Sequence, residues 1–257
     1  MDPLPARYEV DGGVALITLD RPERRNALSR HMLLALRGHL AEAERDETVR
    51  AVIIRARGPA FSAGHDLREL VGTTEEDARA LFTLCTDVME AIRRLPKPVI
   101  AEVHAIATAA GCQLVATCDL AVASEDATFA TPGVKIGLFC TTPGVAVARA
   151  VGPKKAMEML LTGAPITAAE AERAGLVNMV VPAERLAEET MALARRIIAA
   201  SPYTLGVGKR GFYAQVGLDR PKAYEVAQAI MVDNAVAPDA QEGMRAFLEK
   251  RPPRWER

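Results

Sequence analysis

Two short segments hold the residues best suited to chemistry. The first is Phe61-Ser62-Ala63-Gly64-His65-Asp66-Leu67. The second is Ala109-Ala110-Gly111-Cys112-Gln113-Leu114, followed by Thr117-Cys118-Asp119-Leu120. Both place small residues just after an apolar run that reads as a strand, and in the second the small residues open a helix. Backbone N–H groups at a helix N-terminus lack partners within the helix and attract negative charge. Small side chains let a ligand approach the backbone closely. Two such N–H groups converging on one point would form an oxyanion hole for a developing negative charge. Spacing alone fits tight helix–sheet packing as well, and by itself favours it.

Other motifs are weaker. Gly206-Val207-Gly208-Lys209-Arg210-Gly211 spells G-x-G-x-x-G, but the dinucleotide fingerprint needs a strand before it and a helix opening after it. Here Ser201-Pro202-Tyr203-Thr204-Leu205 reads as a helix start, which predicts a glycine-containing helix packed closely on a neighbour. No G-x-S-x-G elbow is present, which weakens a serine hydrolase. His31, His39, His65 and His104 lack zinc-ligand spacing, so no metal is expected. Cys85, Cys112, Cys118 and Cys140 form no C-x-x-C pair, which points to reduced thiols and a cytoplasmic protein. Met1-Asp2-Pro3-Leu4-Pro5 carries no basic and apolar leader pattern.

The elements that must position these segments follow from hydrophobic period and turn signals. Val14–Leu19 reads as a buried strand after the turn Asp11-Gly12-Gly13. Ser29 reads as the N-cap of a helix with Met32, Leu33, Leu36 and Leu40 on one face. Strands are expected over Ala51–Ile54, Val99–Val103 and Leu120–Ala123, and a helix over Thr74–Arg94, stopped by Pro96 and Pro98. From Pro153 onward the chain reads as wholly helical, with helices over residues 154–161, 168–174, 183–200, 202–216, 221–236 and 239–250. Alternating strands and helices imply an α/β core with parallel pairing. Residues 1–190 form that core and residues 191–257 a helical C-terminal region of the same functional unit. The 257 residues are 49% hydrophobic, enough to fill a large core, and the net charge of −1 gives no general pull on nucleic acid or anionic membranes. The longest apolar stretch, near Val99–Leu120, is broken by Glu102, His104, Gln113 and Asp119, so no membrane span is expected.

Taken in order, these motifs resemble the crotonase (enoyl-CoA hydratase/isomerase) superfamily over nearly the whole chain. Asn26-Ala27-Leu28 after an Arg-Pro loop resembles its early signature, and Phe61–Leu67 its F-x-A-G-x-D-L segment. Ala101–Leu120 resembles its central signature. Leu161-Thr162-Gly163, Ala168-x-Glu170-Ala171 and Gly175-Leu176-Val177 resemble the region beyond. The resemblance implies a ClpP/crotonase-like spiral of β-β-α units with a helical C-terminal trimerisation region. It also implies an acyl-CoA substrate in fatty acid metabolism, a homotrimer or dimer of trimers, and no permanently bound cofactor beyond the coenzyme A of the substrate. By position, the backbone N–H groups of His65 and Ala110 would hold the thioester oxygen. Ala63, His65, Asp66, Leu67, Arg68 and Ala110 would line the CoA site, and Phe247 and Lys250 would add a C-terminal contact, often across a subunit boundary.

The chain departs from the standard hydratase at two positions. Gln113 stands where the central signature has the glutamate of G-C-E-L, and Gly133, in Thr131-Pro132-Gly133, stands where a second glutamate follows proline. Hydration needs groups to take a proton from water and deliver one to the α-carbon, each contributing about 10²- to 10⁴-fold. An amide cannot titrate and glycine has no side chain. The sequence is closest in pattern to the branch called enoyl-CoA hydratase domain-containing proteins, with A-A-G-C-Q-L and F-A-T-P-G. Three side chains are candidates to replace the glutamates. Gln113 could position a water or a substrate carboxylate, Cys140 could act if its thiol pKa were lowered, and His65 titrates near neutral pH. The implied function is an enolate-stabilising acyl-CoA enzyme. The alternatives are decarboxylation of a malonyl-type thioester, C–C or thioester cleavage, and non-catalytic acyl-CoA binding.

Overall fold

The structure is a computed structural model and describes residues 5–255. It opens with an antiparallel hairpin of β1 (Ala6–Asp11) and β2 (Val14–Leu19). Gly12 and Gly13 close it, both with positive φ, as a two-residue hairpin turn requires. Helix α1 (Arg30–Arg45) follows, its first turn capped by Ser29, which accepts from the Met32 N–H at 3.3 Å. The chain then winds through repeated turns: β3 (Ala51–Ala56), β4 (Ala60–Ser62) and α2 (Glu75–Arg94); β5 (Val99–Val103), β6 (Ile106–Thr108) and α3 (Ala110–Thr117); β7 (Leu120–Ser124), β8 (Thr128–Ala130) and α4 (Thr141–Val151). Next come α5 (Pro153–Thr162), β9 (Ile166–Thr167), α6 (Ala168–Ala174), β10 (Met179–Val181) and α7 (Leu186–Ile198). Helices α8 (Pro202–Gln215), α9 (Arg220–Ala235) and α10 (Pro238–Leu248) complete the fold.

In each β-β-α turn the first strand joins a large sheet, ordered β1-β2-β3-β5-β7-β10. The second joins a small one, ordered β4-β6-β8-β9. The large sheet is parallel from β2 to β10 and the hairpin strand β1 covers its edge. Both faces of the parallel strands are buried, which explains their near-continuous apolar sequences. Ile17, Ile54, Leu36, Val88 and Phe129 belong to the main core, and Leu16, Ile53, Ile100 and Val122 to a second core shared with Leu186 and Ala194 of α7.

One expectation needs correction. The region after Pro153 is not wholly helical: β9 pairs antiparallel with β8, and Met179–Val181 pairs parallel with Val122–Ser124. These strands have two and three residues, too short to register a period. The small sheet went unread for the same reason, and β1 because only Ala6 is buried on that outer strand. The reading of the N-terminal stretch falls on Met1–Leu4, outside the described residues. Among the described residues, no helix is long and apolar enough to cross a membrane.

The G-x-G-x-x-G stretch lies inside α8 and packs closely, as its flanks predicted. A Cβ on Gly206 would stand 3.0 Å from the Pro96 carbonyl oxygen. Lys209 Nζ donates to the Ile92 and Lys97 carbonyls at 2.8 and 3.0 Å and pairs with Asp119 Oδ2 at 2.6 Å. Asp119 also accepts from the Val99 N–H at 2.7 Å and the Tyr213 hydroxyl at 2.8 Å. This part-buried network ties α8 to strands β5 and β7. Helix α9 buries no residue and leaves Tyr224, Met231 and Val232 exposed.

Candidate active site

The Asn26-Ala27-Leu28 stretch clamps the loop that carries His65. Asn26 is fully buried, with φ 51°. Its Oδ1 accepts from the Arg21 N–H at 2.8 Å, and its Nδ2 donates to the carbonyls of Arg57 and Ala60 at 2.7 and 2.8 Å. The Ser62 hydroxyl donates to the Asn26 carbonyl at 2.9 Å, and the Leu28 N–H to the Gly64 carbonyl at 2.7 Å.

On the facing side, Ala109 turns the chain from β6 into α3 with φ 50° and ψ −119°, a conformation costly for an L residue. Its N–H is held by the Ala130 carbonyl at 2.9 Å. The two segments then meet with no room to spare. A Cβ on Gly64 would lie 2.8 Å from Ala109 Cβ and 3.2 Å from Ala110 N, and a Cβ on Gly111 would lie 2.4 Å from the Ser62 oxygen. The backbone N–H groups of His65 and Ala110 thus start from adjoining segments, and neither donates to another described residue.

These two residues border a cavity of ≈ 570 Å³. Ala63, His65 and Leu67 form one wall, Phe82 of α2 another, and the segment Pro132–Pro143 closes the far side. Among the described residues, no carboxylate lines it. Lys135 is the one lining residue with a formal charge, and it makes no ion pair among the described residues.

The expected side-chain candidates fare unequally. His65 faces inward: Nδ1 lies 3.1 Å from the Leu28 carbonyl and therefore donates its proton there, and the ring meets Phe82 edge-on at 5.3 Å. Nε2 is buried and has no partner among the described residues. Burial pushes the imidazole below its ordinary value of 6.5, outweighing the Leu28 bond and the nearby Glu69, so the ring is neutral at pH 7. A histidine depressed in the folded state contributes stability above pH 6.5 that is lost as pH falls below it, by about 1.4 kcal/mol for each unit of depression. Urea midpoints of the parent should therefore drop between pH 7.5 and 5.5 more steeply than those of His65→Gln; equal slopes would contradict the buried neutral ring.

Cys140 does line the cavity and is buried, but its Sγ receives one bond, from the Gly133 N–H at 3.3 Å. Burial raises the thiol pKa and outweighs that bond, so the lowered pKa needed for a thiolate nucleophile is not met. Gln113 is buried in α3 and is absent from the cavity wall; among the described residues its side-chain amide has no hydrogen-bond partner, and Oε1 is buried. The space beside Gly133 is filled by the chain itself: a Cβ there would stand 1.9 Å from the Leu138 oxygen and 2.8 Å from Cys140 Sγ.

Asp66 and Arg68 stand beside the cavity as a two-pronged pair, with Nε–Oδ1 at 2.9 Å and Nη2–Oδ2 at 2.7 Å; this pairing holds the Asp66 carboxyl below the usual carboxylate range. Phe247, 81% exposed, and Lys250 lie at the end of α10, outside the cavity wall. The sequence reading missed Phe82 and Lys135. Phe82 borders the buried stripe of α2 formed by Leu81, Cys85 and Val88, a position that periodicity could have flagged.

Comparison with known proteins bears on the whole chain. The enoyl-CoA hydratase/isomerase family model matches residues 9–257. Human enoyl-CoA hydratase domain-containing protein 3, mitochondrial, is 49% identical over 255 residues, 99% of this chain and 84% of that protein. The rat protein of the same name is 50% identical over 95% of this chain and 81% of its own length. A crystal structure of enoyl-CoA hydratase from Mycobacterium smegmatis superposes with a TM-score of 0.95 at 50% identity, covering 99% of both chains. The human domain-containing protein 3 superposes at 0.93 over 98% of this chain and 100% of that one. These names overturn the cytoplasmic reading: unpaired buried cysteines suit any reducing compartment, and the rat and human relatives are named mitochondrial. The spiral of β-β-α turns, the ordered motifs and the match across residues 9–257 lead to one assignment: the chain belongs to the enoyl-CoA hydratase/isomerase family, with the crotonase fold.

Proposed function

We propose that the chain binds acyl-CoA thioesters and stabilises negative charge on the thioester oxygen between the His65 and Ala110 N–H groups. The observation that carries this reading is the pair of unpartnered backbone donors on adjoining segments at the edge of an apolar cavity. Rigid donors of this kind act on charge as it develops and need no reorganisation. Ala63, Leu67, Asp66 and Arg68 would flank the CoA moiety. The exposed apolar face of α9 fits subunit contacts in a trimer or dimer of trimers, and Phe247 and Lys250 would reach a CoA only from a neighbouring subunit. Coenzyme A comes with the substrate and no other cofactor is needed.

Ordinary hydration is disfavoured because no carboxylate of the described residues lines the cavity. Reactions that need mainly enolate stabilisation remain, within a hydratase/isomerase-like, lyase-type chemistry. A second reading, decarboxylation of a malonyl-type thioester, is favoured by Lys135, the unpaired cation in the wall. There the bond to the carboxyl carbon breaks, carbon dioxide leaves, the electron pair becomes the enolate, and the α-carbon takes a proton from solvent. A non-catalytic acyl-CoA binder would use the same cavity. Calorimetric titration with butyryl-CoA and free CoA, beside assays of crotonyl-CoA hydration and methylmalonyl-CoA decarboxylation, tests these readings. The thioester should bind more tightly than CoA, with hydration at least about 10²-fold below ordinary enzyme rates. Equal affinity for CoA and thioester would refute the site, and rapid hydration would refute the loss of acid–base chemistry.

A further inference from the structure

Phe82 belongs to two spaces at once. One side of the residue lines the cavity. Another lines an outer groove on α2 with Glu75, Arg79 and Asp87. The ring is half-buried and held edge-on by His65, which is itself fixed to the Leu28 carbonyl. The apolar cavity and a charged surface groove therefore have this one aromatic residue in common, beside the residue whose N–H faces the acyl carbonyl in the proposed function.

Resting on that reading, we infer that Phe82 is the specificity residue that limits acyl-chain length. Methylenes added while the chain still fits leave water for apolar surroundings and tighten binding about fourfold each. A chain that outgrows the cavity meets the Phe82 ring, whose displacement breaks its contact with His65, and affinity falls. Without the ring, the cavity runs through into the groove. The outer methylenes then emerge among Glu75, Arg79 and Asp87, where they contribute nothing to binding and meet no obstacle.

The test is a titration of the parent and Phe82→Ala with free CoA and saturated acyl-CoAs from acetyl to palmitoyl, below micelle-forming concentrations. The parent should show affinity that climbs, peaks and falls with chain length. Phe82→Ala should bind free CoA as the parent does but show a plateau in place of the fall, with the longest chains bound at least tenfold more tightly than by the parent. Phe82→Trp, which enlarges the divider, should move the peak to shorter chains and carries the test if the alanine variant does not fold. The same peak in all three proteins would overturn the inference while leaving the acyl-CoA reading intact. Thioesters bound no better than CoA by the parent would overturn both.

Discussion

Gly133→Glu, which puts a glutamate where the sequence resemblance implies one, is expected to cost about 3 kcal/mol, or roughly 10 °C of melting temperature, and to add no hydratase activity. The obstacle precedes the carboxylate. The first side-chain atom would stand 1.9 Å from the Leu138 oxygen and 3.1 Å from its carbonyl carbon. Both are backbone atoms, and the Leu138 N–H donates back to the Gly133 carbonyl at 3.0 Å, so the segment cannot swing aside without losing that bond and the Cys140 contact. Gly133→Ala should show most of the loss, because the clash is already complete at Cβ. Gln113→Glu differs: it keeps the shape of the residue but places a carboxyl where the amide makes no hydrogen bond, so burial should keep it protonated at pH 7. Thermal melts and crotonyl-CoA hydration of the single and double variants are the measurement. A stable double variant that hydrates rapidly would mean that the Leu138–Cys140 segment is far more yielding than its contacts imply.

Gly64→Ala is expected to reduce turnover of any thioester the protein processes by about 10²-fold or more, the scale for disturbing an oxyanion donor. Two effects act together. Gly64 has φ +85°, which costs an L residue about 1–2 kcal/mol. Its new methyl would also press on Ala109 Cβ at 2.8 Å, the Thr108 oxygen at 3.1 Å and Ala110 N at 3.2 Å. Relief can come only by separating the loop before His65 from the start of α3, and that separation moves one donor away from the other. Gly12→Ala is the matched control: it has φ +55° and nothing within 4 Å, and it lies in the hairpin turn, so it carries strain without crowding. The readout is kcat/KM, or the affinity gained by a thioester over free CoA, for both variants. Equal effects would assign the loss to backbone strain alone.

How far the sequence could be read follows from what each feature depends on. Long helices and largely buried strands were legible because their patterns are local: Ser29 caps α1, Thr74 caps α2, and β2, β3 and β5 are mostly apolar, broken only by Thr18, Arg55 and Glu102. The three-residue strands of the small sheet were not, since β4, β6 and β8 exist only through pairing with residues far away in the chain. In the site, small residues singled out the two backbone segments, but their spacing alone favoured tight packing, and His65 and Ala110 were named as donors only through the family resemblance. The fate of Gly133 was hidden because a glycine in sequence is silent about what fills the space beside it. Cys140 was expected to react only if its pKa fell, and only burial decides that sign. Phe82 was passed over as one more apolar residue on a helix.

The strand orders carry a consequence for how the chain is made. Both run monotonically, 1-2-3-5-7-10 and 4-6-8-9, so each strand leaving the ribosome meets an edge already built and never has to insert between two earlier ones. The sheets can grow by accretion during synthesis, which reduces the time that unpaired edges stand open to aggregation. His65 follows β4 and Ala110 follows β6, in successive turns, while the segment around Gly133 and Cys140 emerges one turn later. A nascent chain would therefore hold its two backbone donors before the wall that encloses them exists, and α7, which seals the second face of the large sheet, would lock the assembly only after residue 198 has left the tunnel.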